Sequence, residues 1–413
     1  MEALYRRSNS ALQGLRTKYQ RPLLHEIDWQ DPLIVLLGPR GIGKTTLLLQ
    51  RLRQLDLPPQ KGIYIDLGDL YFQANRLIDF AEAFIEQGGT HLFIDEVHRY
   101  GFSTWSAEIK QLYDLYRHRV QIVITGSSVI KILHEQADLS RRALKYKMVG
   151  LSFREYLNLT YGLQLSPLTI PELLTNTTTL ANELITSDLF RPREELVAYW
   201  TFGYYPFHLE RRSGFTSRLA DTVQTVLEHD IPYGTTSSAG DATKIGRLLY
   251  AIASSAPFTP NIQKLAERTQ ISRPTLLQYL IQLENAHLIA TLRKDGKGVS
   301  TLSKPDKIFL DNPNLVTALA PNQVDIGTLH ETFLLNQLRQ TTHGQQLVSP
   351  QIKLPSRGDF LYQFQEASIT FEVGGPNKSE QQLNGSKDGY LVVDVEQSGH
   401  PRKIPLWLVG FLY

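Results

Sequence analysis

The chain has 413 residues, 42% of them hydrophobic and 20% charged, a composition suited to about two to four folded domains. A formal net charge of +2 leaves any electrostatic partner to be met by a local patch. The absence of cysteine excludes disulfides, thiolate catalysis and cysteine-ligated zinc, and fits a reducing compartment.

The opening stretch, MEALYRRSNSALQGLRTKY, carries charge without an apolar core, unlike a secretory signal. No apolar run reaches the ~20 residues that span a bilayer. The expectation is a cytoplasmic protein with no membrane partner. Residues 1–30 are expected to form a basic amphipathic helix and a lead-in, and a solvated face accounts for the basic residues better than a nucleic-acid arm.

From Leu33 the pattern alternates. IVLLG (34–38), GIYIDLG (62–68), HLFIDEV (91–97) and VQIVITGSS (120–128) are expected strands. Between them, TTLLLQRLRQL (45–55) and RLIDFAEAFIEQGG (76–89) are expected helices, the second closed by glycines. Short apolar strands separated by helices predict a parallel sheet covered on both faces, an α/β domain over 31–155. Residues 156–235 read as a helical segment with a polar Thr/Asn stretch near 175–182. Residues 234–243 read as a linker, and 244–300 as three short helices and a hairpin. Residues 325–413 predict a helix and the strands GDFLYQF, SITFEVGG, GYLVVDVE and PLWLVGFLY.

Gly38-Pro39-Arg40-Gly41-Ile42-Gly43-Lys44-Thr45 matches the phosphate-loop pattern G-x-x-x-x-G-K-[ST], with a strand before it and a helix after. Its glycines permit a tight turn that points backbone N–H groups at phosphates, and the helix start adds its positive dipole end. Lys44 is expected to reach the β and γ phosphates of ATP, and the Thr45 hydroxyl to ligate magnesium (Mg2+), with Thr46 adjoining. At the end of the third strand, Asp95 is expected to hold the metal and Glu96 to act as general base on the attacking water. In Ile124-Thr125-Gly126-Ser127-Ser128, Thr125 and Ser127 are both candidates for sensing the γ-phosphate. Arg141, followed by Arg142, is a candidate for stabilising transition-state charge; if given in trans, it requires self-association. His98 and Arg99 are assigned loop hydrogen bonding.

The order GPRGIGKTT, FIDEVHR, ITGSS, LSRRALKYKMVGLSFREYL resembles AAA-type ATPases of bacteria and archaea that carry a C-terminal domain of uncertain function. LSFREYL and YWTFGYYPF (199–207) are similar to further segments of that family, though Gly203-Tyr204 stands where the family has two glycines. The resemblance implies a RecA-like sheet with the strand order of glutamate-containing P-loop ATPases. It also implies a helical segment, a winged helix and a C-terminal α/β fold like PD-(D/E)xK restriction endonucleases.

The residues support a winged helix over 244–300. Ser272 is a good N-cap for a second helix with Pro274 in its first turn. Arg273, Thr275 and Gln278 on that helix, with Arg293, Lys294 and Lys297 on the wing, are the candidates for DNA contact. Six Lys/Arg against three Asp/Glu in 259–300 give a local charge of +3. Packing within the chain or against a protein is the competing use of such a module.

A PD-(D/E)xK site needs carboxylates for metal and a lysine near the water. Glu331, Asp359 and Glu372 occur in the right order, but Gly374 occupies the lysine's position; Lys378 lies four residues on, in a loop, and loops rarely reproduce the geometry such a lysine needs. The expectation for 325–413 is a nuclease-like domain without activity. Two functions compete: an ATP-driven switch or motor on DNA, and an ATP-gated interaction or defence switch without DNA.

Overall fold

A computed structural model describes the chain except residues 16–18, 103–104, 127–138, 140, 188, 232–238, 295–303, 322–323, 342–349 and 384–387. Two compact units emerge. One is built chiefly from Met1–Val149 and His229–Ser237; the other from Gly150–Glu228, Ser238–His343 and Leu347–Tyr413.

The first unit holds a five-stranded sheet: β1 (Leu33–Leu37), β2 (Gly62–Asp66), β3 (His91–Asp95), β4 (Gln121–Gly126) and β5 (Leu144–Lys147). The order is β2-β3-β4-β1-β5 and every pairing is parallel. β1 is buried at all five positions, as a central strand covered on both faces must be. Beside it, β4 separates the phosphate-loop strand from the acidic strand. Helices Lys44–Gln54, Leu77–Glu86 and Trp105–Tyr116 flank the sheet, the last two burying Phe80, Phe84, Ile109 and Leu112 in one apolar cluster. This is the α/β fold of a P-loop NTPase. The helix Glu2–Gly14 belongs to the same unit: Leu4 joins that cluster, and the Tyr64 amide donates to Ser8 Oγ at 3.1 Å.

The second unit opens with helices Phe153–Tyr161, Ile170–Thr175, Thr177–Thr186, Pro192–Ala198 and Phe215–Thr225. Ser152 and Glu155, within the LSFREYL segment, form a reciprocal capping box, with bonds of 3.0 and 3.2 Å. Arg154 is buried between carbonyls, donating to Tyr413 O (2.9 Å) and Leu165 O (3.0 Å). In YWTFGYYPF, Gly203 admits the Tyr199 ring, which would lie 2.3 Å from a Cβ there. Both segments are packing devices.

Helices Ala239–Ala253, Ile262–Thr269 and Arg273–Asn285 precede an antiparallel pair, β6 (Ile289–Leu292) and β7 (Lys307–Leu310). The first of these helices starts inside the stretch expected to be linker. Five further strands follow: β8 (Gln351–Lys353), β9 (Phe360–Phe364), β10 (Ala367–Gly374), β11 (Gly389–Val393) and β12 (Lys403–Pro405). They form a mixed sheet in the order β12-β11-β10-β9-β8, parallel from β10 to β12 and antiparallel from β8 to β10. PLWLVGFLY is a correction: only its proline lies in a strand, and Leu406–Val409 is helical. Its apolar run is too short for periodicity to separate a buried strand from a buried turn of helix.

No helix among the described residues is long and apolar enough to cross a membrane.

Candidate nucleotide site

The loop from Gly38 to Thr45 joins the end of β1 to the start of helix Lys44–Gln54. Each glycine has its own reason. A Cβ at Gly38 would stand 2.2 Å from the carbonyl oxygen of Met148, while Gly41 and Gly43 have φ of 84° and 95°. Ile42 is fully buried and pins the loop. Lys44 is buried, and its Nζ donates to the carbonyls of Gly38 (2.9 Å) and Pro39 (2.7 Å). Burial pushes the Lys44 ammonium's pKa down, opposed by the nearby Glu96, Asp95 and Asp230.

Asp95, at the end of β3, gathers three hydroxyls. Thr45 Oγ1 donates to its Oδ2 at 2.5 Å, Tyr64 OH to the same oxygen at 3.0 Å, and Thr125 Oγ1 to Oδ1. Thr125 reaches it because β4 lies directly beside β3. A hydroxyl and a carboxylate converging next to a lysine and a glycine-rich loop are the hard-oxygen donor set that magnesium and a triphosphate require. The residues therefore fit that cofactor.

Glu96 follows in a left-handed backbone conformation, φ 54°, which non-glycine residues adopt at some cost. Arg40 NH2 donates to Glu96 Oε2 at 3.2 Å and to Asp230 Oδ1 at 3.1 Å, and Arg40 Nε to Asp230 Oδ2 at 3.3 Å. His98 Nε2 lies 3.2 Å from Glu96 Oε2 and 3.3 Å from Asp230 Oδ1. Burial raises the Glu96 pKa above the usual carboxylate range, with His98, Lys44 and Arg40 pulling it back. Burial also works against charge on Asp230, but hydrogen bonds from His98 and Arg40 prevail and hold it at about 2. Burial disfavours the Arg40 charge, and Asp230 with Glu96 outweighs it, leaving its pKa raised.

The geometry thus brings Lys44, Thr45, Asp95, Glu96 and Thr125 together. Pro39 contributes a carbonyl and Arg40 a guanidinium; Thr46 continues the helix. Ser127 lies outside the described residues. Arg141 is exposed ahead of β5, and Arg142 pairs with Asp114 at 2.8 Å. His98, assigned simple loop bonding from sequence, stands between two carboxylates instead. Asp230 and Tyr64 were missed. No motif marks Asp230, which is 190 positions from Arg40. Tyr64 sits in a strand whose alternation signals only burial.

Of the other candidates, Arg273 and Gln278 are exposed on helix Arg273–Asn285, while Thr275 is engaged in the cap, its Oγ1 2.7 Å from Ser272 Oγ. Arg293 is half-buried, Lys294 exposed, and Lys297 outside the described residues. Glu331 on helix Ile326–Arg339 pairs with Lys307. Asp359 Oδ2 accepts from the Val373 amide at 2.9 Å. Glu372, fully buried on β10, is met by Lys378 Nζ at 2.5 Å. The Lys378 stem folds over Gly374, 2.9 Å from where a Cβ would be, so the missing side chain makes room for the later lysine. Among the described residues no group of three or more His, Cys, Asp or Glu is arranged to hold a metal.

Residues 30–157 match the family model described as an AAA domain, and 193–325 match a domain of unknown function, DUF8612. An uncharacterized protein of Methanocaldococcus jannaschii is 29% identical over 299 residues, covering 70% of this chain; the chain spans 62% of that relative's length. Among solved structures, the RuvB Holliday junction branch migration motor of Thermotoga maritima has a TM-score of 0.27 and 16% identity over 71% of this chain and 90% of its own. AMPPCP-bound DnaA from Aquifex aeolicus scores 0.25, with 16% identity over 68% and 87%. The S. cerevisiae Hsp104–ADP complex scores 0.30, with 14% identity over 81% and 57%. Sheet order and phosphate loop give the first unit a P-loop α/β fold, and its residues 30–157 are similar to an AAA domain.

Proposed function

We propose that this chain hydrolyses ATP with magnesium and uses the turnover to switch or drive a DNA-associated second unit. The observation that carries the hydrolytic reading is the meeting of Thr45 and Asp95, 50 residues apart, at 2.5 Å beside Lys44 and Glu96. The loop amides freed by Gly41 and Gly43, with Lys44, would hold the β and γ phosphates, Lys44 exchanging its two carbonyl partners for phosphate oxygens. Thr45 and Asp95 would hold magnesium, which when bound neutralises charge on the transferring phosphoryl group. Thr125 and Tyr64 would orient the Asp95 carboxylate, and Glu96 would take the proton of the attacking water. In Glu96→Gln, turnover should fall about 10²–10⁴-fold while ATP binding persists. Turnover close to wild type would remove Glu96 from the chemistry.

Support for DNA association is the order of helices and hairpin between Ala239 and Leu310 and the exposed Arg273 and Gln278. We read this as a winged helix presenting its last helix to the major groove. The second reading, an ATP-gated interaction switch without DNA, is favoured by the modest charge of the module. Turnover measured with and without duplex DNA across a salt series separates them, because phosphate contacts make affinity fall steeply with salt. We read the mixed sheet and helix Ile326–Arg339 as a nuclease-like domain without activity, since lysines neutralise two of its three candidate carboxylates. Metal-dependent DNA cleavage lost in Asp359→Ala would reverse that.

A further inference from the structure

Two partners of Glu96, Arg40 and His98, are themselves held by a carboxylate that ATP hydrolysis does not otherwise need. Asp230 ends the turn Val226–Asp230, just before residues 232–238, where the chain passes from the first unit to the second. Its side chain is 3% exposed and that of His98 is 1% exposed. Arg40 and His98 each touch both Glu96 and Asp230, so the four side chains close a ring: two carboxylates, each bound by the same two donors. A carboxylate buried to this extent is costly unless paired. Asp230 is paired, and its partners are the groups that fix Glu96.

We propose that Asp230 is a positioning residue of the hydrolytic site: by anchoring Arg40 and His98 it fixes the Glu96 carboxylate. The proposal rests on the reading of Glu96 as general base. Arg40 shows how the anchoring works. With Asp230 present, its guanidinium is divided, giving Glu96 a single N–H and Asp230 two. Without that anchor the planar fork is free to close on Glu96 in a bidentate pair, which draws the carboxylate off the position of the attacking water. His98 loses one of its two carboxylate partners at the same time.

The test uses the full chain and compares wild type with Lys44→Ala, Glu96→Gln, Asp230→Asn, Asp230→Glu, His98→Gln and the double variant Asp230→Asn/His98→Gln. Turnover is measured per active site, sites being counted by binding of a fluorescent ATP analogue. Asp230→Asn is expected to lower kcat roughly tenfold to a hundredfold, the scale of a misplaced reacting group, with analogue affinity changed by less than about threefold. The double variant should be no slower than the worse single variant, because residues acting as a unit are not additive. Asp230→Glu, which keeps the charge, should recover part of the loss. Asp230→Asn within about threefold of wild type, while Glu96→Gln is inactive, overturns the proposal and leaves the hydrolytic reading standing. Parallel loss of kcat and analogue binding in both Asp230→Asn and His98→Gln also overturns it, since that marks a folding role. Turnover close to wild type is a different outcome: in Lys44→Ala it removes the hydrolytic reading, in Glu96→Gln it removes Glu96 from the chemistry, and either takes the proposal with it.

Discussion

At Glu96 backbone and side chain are held by separate means: the strand end sets a left-handed φ, and Arg40 and His98 set the carboxylate. Within that ring the low pKa of Asp230 contributes stability with a definite pH range, while the raised pKa of Glu96 works against it at neutral pH. The folded value of Asp230, about 2, lies below the ordinary 3.8. The stabilisation is therefore complete above the unfolded pKa and is lost as pH falls through the folded one, between about 4 and 2. At neutral pH it amounts to ~2 kcal/mol. Wild type should exceed Asp230→Asn in urea midpoint at pH 7, and the difference should shrink to about a third by pH 2.5; an unchanged gap at that pH would rule out the ion pairs as its source. Lys44, Thr45, Asp95 and Glu96 were legible in the sequence because local motifs mark them. Asp230 was not, because a contact 190 positions away leaves no local pattern. Thr125 could not be preferred over Ser127 from sequence; for Thr125, strand order alone decides its contact with Asp95.

Among the elements, β1, β3, β4 and the loop helix were readable from continuous apolar runs bounded by glycines. β5 was not, since Leu144–Lys147 is a short edge strand with two lysines and one buried residue. β10 carries the sharpest local test. Its buried Glu372 depends on Lys378, which crosses the gap left by Gly374. Removing Lys378 takes away the ion pair that offsets the burial of Glu372, so Lys378→Met should cost about 1–3 kcal/mol. Adding Glu372→Gln should recover much of it, as read by urea unfolding. A Lys378→Met variant as stable as wild type would show that Glu372 is satisfied without the lysine. The capping box at Ser152 predicts a smaller effect: Ser152→Ala should lower stability by ~1 kcal/mol and leave ATP binding unchanged.

Across the whole molecule, two units share one chain, and Asp230 belongs to the first. If the helices from Ala239 to Asn285 serve DNA, Arg273→Ala with Gln278→Ala should weaken duplex binding and any DNA stimulation of turnover, leaving basal turnover intact. Equal affinity of wild type and variant for duplex at low salt would favour the interaction switch. Everything further depends on whether the loop from Gly38 to Thr45 turns over ATP. The most direct measurement is magnesium-dependent ATP hydrolysis by purified wild type and Lys44→Ala, side by side. Turnover by wild type that is abolished in Lys44→Ala and on chelation of magnesium is the predicted result. Equal rates in the two proteins, or none in wild type that binds ATP, would contradict it.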